Sequence, residues 1–144
     1  MPHTIVDVSE ISAGHGPHPA ASPYDKRISE ALGVRAFEVY QDELPAGAET
    51  VRHHHVDDRN EDVYAVIAGH GWVVVDDVPT PVRPGHFVSV DIESTRFLRA
   101  GDEGLTFIAL CAEPWTRSTR LLVRYSDCRT PVPAPSCWVD GNPR

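Results

Sequence analysis

Between Val34 and Ala112 the chain is cut, at short and regular intervals, into β-rich runs separated by Gly, Pro and Asp. "VRAFEVYQ" runs to a Pro45/Gly47 turn, and "TVRHHH" follows it. "DVYAVIA" reaches a break at Gly69–Gly71, "WVVV" ends at Asp76-Asp77, "TPVR" at Pro84-Gly85 and "HFVSV" at Asp91. "TRFLRA" then reaches Gly101, and "LTFIALCA" closes the series before Pro114. Branched and aromatic residues suit an extended, half-buried backbone, and the punctuating residues suit turns. Strands at this spacing predict an all-β antiparallel sandwich or barrel.

The flanks read differently. "SPYDKRISEALG" predicts one short N-terminal helix, with Ser22 as N-cap, Pro23 at the first helical position, Asp25 in the first turn and Gly33 as the stop. Ile28 and Leu32 are spaced to share one of its faces. Beyond the barrel, Leu121 to Tyr125 can add a strand, and the Pro-rich remainder has no periodicity. Trp115 and Trp138 suggest that this tail packs on the barrel or on a second subunit. The expected organisation is an arm and helix over 1–33, a barrel core over 34–112 and a strand and tail over 113–144. At 144 residues these form one domain with a real core.

Thirteen Lys and Arg against 21 Asp and Glu give a net charge of -8, which argues against nucleic acid and anionic membranes as partners. The opening "MPHTIVDVSE" lacks a basic start followed by an apolar run, and no segment approaches the roughly 20 apolar residues of a membrane helix. A cytoplasmic protein is expected. Cys111, in "LTFIALCA", reads as a buried core thiol, and Cys128 and Cys137 as a reduced pair flanking "RTPVPAPS".

The run His53-His54-His55 lies mid-chain, unlike a purification tag. On a strand, successive side chains alternate faces, so His53 and His55 share one face and His54 takes the other. Two inward imidazoles at this spacing can reach one ion, at about 2.0–2.1 Å for zinc. Glu61 and Asp62 open the next apolar strand, where one of them, but not both, points inward. That carboxylate would complete a two-His, one-carboxylate site with open positions.

The stretch from Gly47 through His53, His55 and Asp62 to Gly69 resembles the first signature of the cupin superfamily. That signature is Gly, five residues, His-x-His, three or four residues, Glu, six residues, Gly. Asp62 stands where the family carries Glu, after a longer spacer. The stretch "VRPGHFVSVDIESTRFLRAGDEGLTFIAL" is similar to the second cupin signature at Pro84, Gly85, Gly101, Asp102 and Glu103. His86 replaces an Asp there, and Arg96 replaces the family's fourth metal ligand, a His. The resemblance covers about residues 34–112 and implies a jelly-roll barrel and a homodimer.

Arginine is donor-only and cannot ligate a cation. An inward Arg96 either anchors an anionic or carbonyl-bearing substrate beside a three-ligand metal, or pairs with Asp62 or Glu61 in place of the metal. His70 and His86 are expected as cross-strand neighbours. His86, first of an inward series with Val88 and Val90, is a candidate acid/base group or extra nitrogen ligand. Tyr64 shares a face with Asp62 and is expected to line the same cavity, as a catalytic or a core-filling group. His3, His15 and His18 receive no role.

The leading expectation is an enzyme acting on a small organic metabolite through one divalent Zn or Fe(II). His53, His55 and Asp62 would be its ligands and Arg96 its substrate anchor. The alternatives are a zinc-dependent aromatic polyketide cyclase, given a barrel lining of Val66, Val88, Val90 and Leu98, and a metal-free ligand-binding module built on an Arg96–carboxylate ion pair.

Overall fold

The computed structural model describes residues 2–114. The expected strand at Leu121 to Tyr125, with Cys128, Cys137, Trp115 and Trp138, lies outside the described residues. The elements are β1 (Asp25–Arg27), α1 (Ile28–Leu32), β2 (Glu38–Leu44), β3 (Glu61–Val75), β4 (Val78–Val82), β5 (Phe87–Val90) and β6 (Arg96–Ala112). Every strand pairing is antiparallel. No helix among the described residues is long and apolar enough to cross a membrane.

Two long strands organise the rest. The first half of β3 lies between β5 and the second half of β6, with β2 and then β1 continuing beyond β6. The second half of β3 lies between β4 and the first half of β6. Along the outer side of that half of β6 runs the segment from Ala48 to His53. β3 and β6 therefore bend together and pass from one face of the barrel to the other. Between the faces sits a core of Leu44, Tyr64, Val66, Val73, Val82, Val90, Leu98, Leu105 and Phe107.

The expected breaks at Gly69–Gly71 and Gly101 are bends inside continuous strands. Register shifts between Val66 and Ala68 and between Gly69 and Gly71 let β3 turn without losing its partner. Gly69 has φ +71°, and a Cβ there would lie 2.2 Å from the Gly104 carbonyl oxygen. The backbones of β3 and β6 thus meet too closely for any side chain. The Asp76-Asp77 turn does end a strand: both residues have positive φ, 47° and 67°, as a two-residue hairpin of the right twist requires. Pro79 and Pro81 fall on β4, which among the described residues pairs with β3 alone, and an edge strand can spare those N–H donors.

The predicted helix is shortened from its N-terminal side. Asp25–Arg27 pair with Asp42, Gln41 and Tyr40 instead of coiling. The Ser22 hydroxyl accepts from the Tyr24 N–H at 3.0 Å, closing a local turn where a cap was expected. Only Ile28–Leu32 is helical, and Gly33 ends it in the left-handed region, its N–H bonding back to Ser29 and Glu30. "TVRHHH" is extended but not a full strand, touching β6 through the bridge His53↔Arg96, with Glu49↔Arg99 just before it.

Gly69→Ala is expected to cost at least about 2 kcal/mol, from left-handed strain plus the collision with Gly104. Gly33→Ala, equally left-handed at φ +74° but facing open space, is expected to cost only about 1 kcal/mol. Urea midpoints of the two variants measure the difference, and equal losses would contradict the close approach at the bend.

Candidate metal centre

The segment before His55 is laid along β6 by backbone bonds: Thr50 N–H to the Leu98 carbonyl at 2.9 Å, His53 N–H to Arg96 at 3.1 Å and Arg96 N–H to His53 at 2.8 Å. This pairing imposes the alternation expected of a strand. His55 is buried, His53 is half-buried and His54 is exposed. On β3 the same alternation buries Asp62 and Tyr64 and leaves Glu61 exposed, which settles the inward carboxylate as Asp62.

The two imidazoles are held from behind. His53 Nδ1 lies 2.8 Å from the Val51 carbonyl oxygen, an acceptor only, so Nδ1 carries a proton and Nε2 is the nitrogen turned to the site. His55 Nδ1 lies 2.8 Å from Asp58 Oδ1 and donates to that carboxylate. Both Nε2 atoms face Asp62 Oδ2, at 3.7 Å from His53 and 3.0 Å from His55. Tyr64 donates its hydroxyl to the same oxygen at 2.7 Å, and Arg96 Nε lies 3.5 Å from it. Arg96 is fully buried and also donates to the Asp91 carbonyl oxygen.

Burial works against a charged Asp62, but His53, His55 and Tyr64 around the carboxylate outweigh it and hold the carboxyl well below its usual range. The bond to Asp62 raises the pKa of His55 against the opposing effect of burial. Burial, followed by the Asp62 charge, pushes the Tyr64 phenol well above its ordinary value, so it remains a hydrogen-bond donor.

His53, His55 and Asp62 each offer a ligand atom, all within 4.8 Å of one another. Ligand atoms about 2.0–2.1 Å from a common ion, at right-angled to tetrahedral spacing, lie roughly 3.0–3.4 Å apart. The 3.0 Å separation of His55 from Asp62 falls in that range, and the 3.7 Å separation of His53 lies just beyond it. Nδ1 atoms anchored from behind, with the Nε2 atoms turned to a common point, are the outer shell that metal-binding histidines use. The three residues thus fit a divalent ion.

Beside the centre lies a cavity of about 390 Å³. His53, His55, Asp62 and Tyr64 reach its wall, Leu98 and Phe107 make an apolar side, and Pro17 and His18 of the N-terminal arm cover it. His18 was invisible in the sequence. Its Nε2 lies 2.8 Å from Asp58 Oδ2, 40 residues away, so one carboxylate ties the arm to His55. His18, His55 and Asp58 form a second group of ligand atoms within 4.8 Å.

Several expected positions differ. Arg96 is not on the cavity wall but packs against Asp62, so it faces the carboxylate and not the cavity. His86 does not line the cavity either. Its carbonyl accepts from the Val66 N–H at 3.0 Å, which puts it opposite Val66 and not His70. His70, at the bend, reaches Asp102 at 3.0 Å. Of the four residues expected to line the barrel, Val66, Val90 and Leu98 lie in its core with Val88 packed against it, and of these Leu98 also reaches the cavity wall. Cys111 is half-buried on the cavity wall, where burial and then the Asp62 charge push its thiol up to about 12.

No family model matches the chain, and no curated protein matches it in sequence. Solved structures do. A cupin protein from Bacteroides fragilis is 19% identical over 81% of this chain and 92% of its own, with a TM-score of 0.63. A sugar phosphate isomerase from a cupin superfamily, from Silicibacter pomeroyi, is 21% identical over 77% and 76%, with a TM-score of 0.64. The chain has the cupin fold. A Klebsiella pneumoniae protein with a double-stranded β-helix domain matches at 18% identity and a TM-score of 0.58, over 75% of this chain and 88% of its own. In this fold the bend of β3 and β6 carries Gly69, His53 pairs with Arg96 at the start of β6, and Asp62 pairs with Cys111 near its end.

Across the cavity, Asp42 of β2 stands directly opposite Asp25 of β1. Burial, then the hydrogen bond and charge of Asp25, push the Asp42 carboxyl up to about 9. The folded chain therefore keeps a proton that the unfolded chain loses near the usual carboxylate pKa of about 4. With more protons bound in the folded state, stability declines as pH rises from about 4 through about 9. Asp42→Asn, which cannot ionise, is expected to reduce that decline, measured as urea midpoints at about pH 5 and about pH 8. Identical pH slopes in the two proteins would place the ionisation elsewhere.

Proposed function

We propose that this cupin is a metal-dependent enzyme for a small organic metabolite, with His53, His55 and Asp62 as ligands. One observation carries the reading: both Nδ1 atoms are committed to acceptors, leaving both Nε2 atoms aimed at a single carboxylate oxygen. A zinc or iron(II) ion held there supplies Lewis-acid polarisation of a carbonyl or, with iron, a centre for oxygen chemistry.

The protein's own groups prepare the site. Asp58 fixes the orientation of His55, and Tyr64 holds Asp62 in place while staying protonated. Leu98 and Phe107 give the ligand-facing side an apolar surface, and Pro17 and His18 of the arm line it as well. The Arg96 charge sits behind Asp62 and adds to the positive field that an oxyanion or enolate would meet. Enolisation and isomerisation beside a carbonyl suit this arrangement, and the name of the Silicibacter structure is of that class. The polyketide-cyclase version draws less support, because the apolar lining it needs is confined to one side of the cavity.

A second reading rests on Arg96. It lies 3.5 Å from Asp62 Oδ2 and is 0% exposed, so the ion pair can take the place of the metal and leave a ligand-binding cupin.

Elemental analysis of untagged protein separates the two. About one Zn or Fe per chain is expected, absent from His53→Ala and Asp62→Asn, with Asp58→Asn weakening metal affinity about 10–100-fold. A wild-type chain that stays metal-free when offered Zn²⁺ or anaerobic Fe²⁺, beside an Arg96→His variant that takes metal up, would establish the ion-pair reading instead.

A further inference from the structure

The cavity has a second polar wall, remote in sequence from the histidines. Asp25 and Arg27 of β1 and Glu38, Tyr40 and Asp42 of β2 all line it. Alternate residues on a strand share a face, so one register places all five together, with Asp25 opposite Asp42 and Arg27 opposite Tyr40. Inward strand positions of a barrel ordinarily carry core residues, and here they carry three acids, an arginine and a tyrosine.

Most of these groups have partners. Ser22 N–H donates to Asp25 Oδ2 at 3.0 Å, Tyr40 donates to Glu38, and Arg27 Nη1 pairs with Glu30. Two buried atoms have none among the described residues: Asp42 Oδ1 and Arg27 Nε. Asp42 is only 3% exposed, and buried polar atoms are normally hydrogen-bonded. An acceptor and a donor are thus left over on one face of a cavity. The Asp terminal torsion is soft, so the carboxyl can turn its free oxygen to a ligand.

We propose that this wall binds neighbouring hydroxyl groups on an uncharged, polyhydroxylated part of the ligand. A hydroxyl both donates and accepts, whereas Arg27 Nε only donates. Arg27 and Asp42 are diagonal neighbours across the strand pair, a relation that spans about 7–8 Å or less, within reach of two adjacent hydroxyls and their hydrogen bonds. An anionic group would meet Asp25 and Glu38, and the carboxyl-rich wall keeps it away. Leu98 and Phe107 supply an apolar surface for the carbon skeleton. The inference concerns the same cavity as the metal centre but does not rest on a metal.

The test is a calorimetric titration of full-length, chelator-treated protein with sorbitol, xylitol and methyl glucoside, with glutarate and 1,6-diaminohexane as charged controls. The neutral probes are expected to bind and the controls not to. Asp42→Asn, neutral and of the same shape, is expected to keep affinity within about threefold, and Asp42→Leu to lose at least about tenfold. In ¹³C-labelled wild type the Asp42 carboxyl signal is expected to move on adding sorbitol, a readout that needs no variant to fold. Absence of neutral-probe binding, an unmoved Asp42 signal, or undiminished binding by folded Asp42→Leu would overturn the proposal. Binding of diaminohexane that is lost in Asp42→Asn would overturn it in favour of an ammonium site. Because every titration uses metal-free protein, failure of the metal reading leaves these outcomes unchanged.

Discussion

One buried oxygen atom, Asp62 Oδ2, is where the functional half of this barrel converges. His55, His53, Tyr64 and Arg96 all approach it, from 2.7 to 3.7 Å. A carboxylate taken out of water is costly unless positive charge and donors surround it. The surroundings here come from three separate stretches of backbone: the Ala48–His55 segment, the start of β3 and the start of β6. Asp62 can stay ionised only if all three are in register. The charge therefore ties assembly of the barrel to assembly of the site.

The geometry that brings those stretches together is set elsewhere, at the bend. β3 and β6 have to turn from one face of the barrel to the other while keeping their pairing, and the close approach of Gly69 to Gly104 is what allows it. Arg96 begins β6 on one side of that bend, and Ala112, which pairs with Glu61, ends it on the other. The covering arm is tied on through Asp58, which accepts from both His18 and His55. One carboxylate thus orients an imidazole and anchors the arm that lines the cavity.

The all-β class, the turn at Asp76-Asp77 and the stop of α1 at Gly33 were legible because they depend on local backbone preference. Elsewhere the long strands override such preference. Gly69, Gly71 and Gly101 read as chain breaks, but at a bend a glycine can continue a strand that no other residue could. Likewise "SPYDKR" carries good helix-start residues, yet the edge of β2 offers Asp25–Arg27 backbone partners, and pairing prevails over the cap.

For the site, period-two alternation was enough to turn His53 and His55 inward together, to leave His54 outside and to allow only one of Glu61 and Asp62 to join them. That much is a property of extended L-peptide backbone and needs no knowledge of the partner strands. The tertiary structure alone decided that Arg96 faces Asp62 and not the cavity, that His86 meets Val66, that His18 reaches Asp58 and that Asp25 stands against Asp42. Each of these pairs joins residues far apart along the chain, and only the register of the closed barrel brings them together.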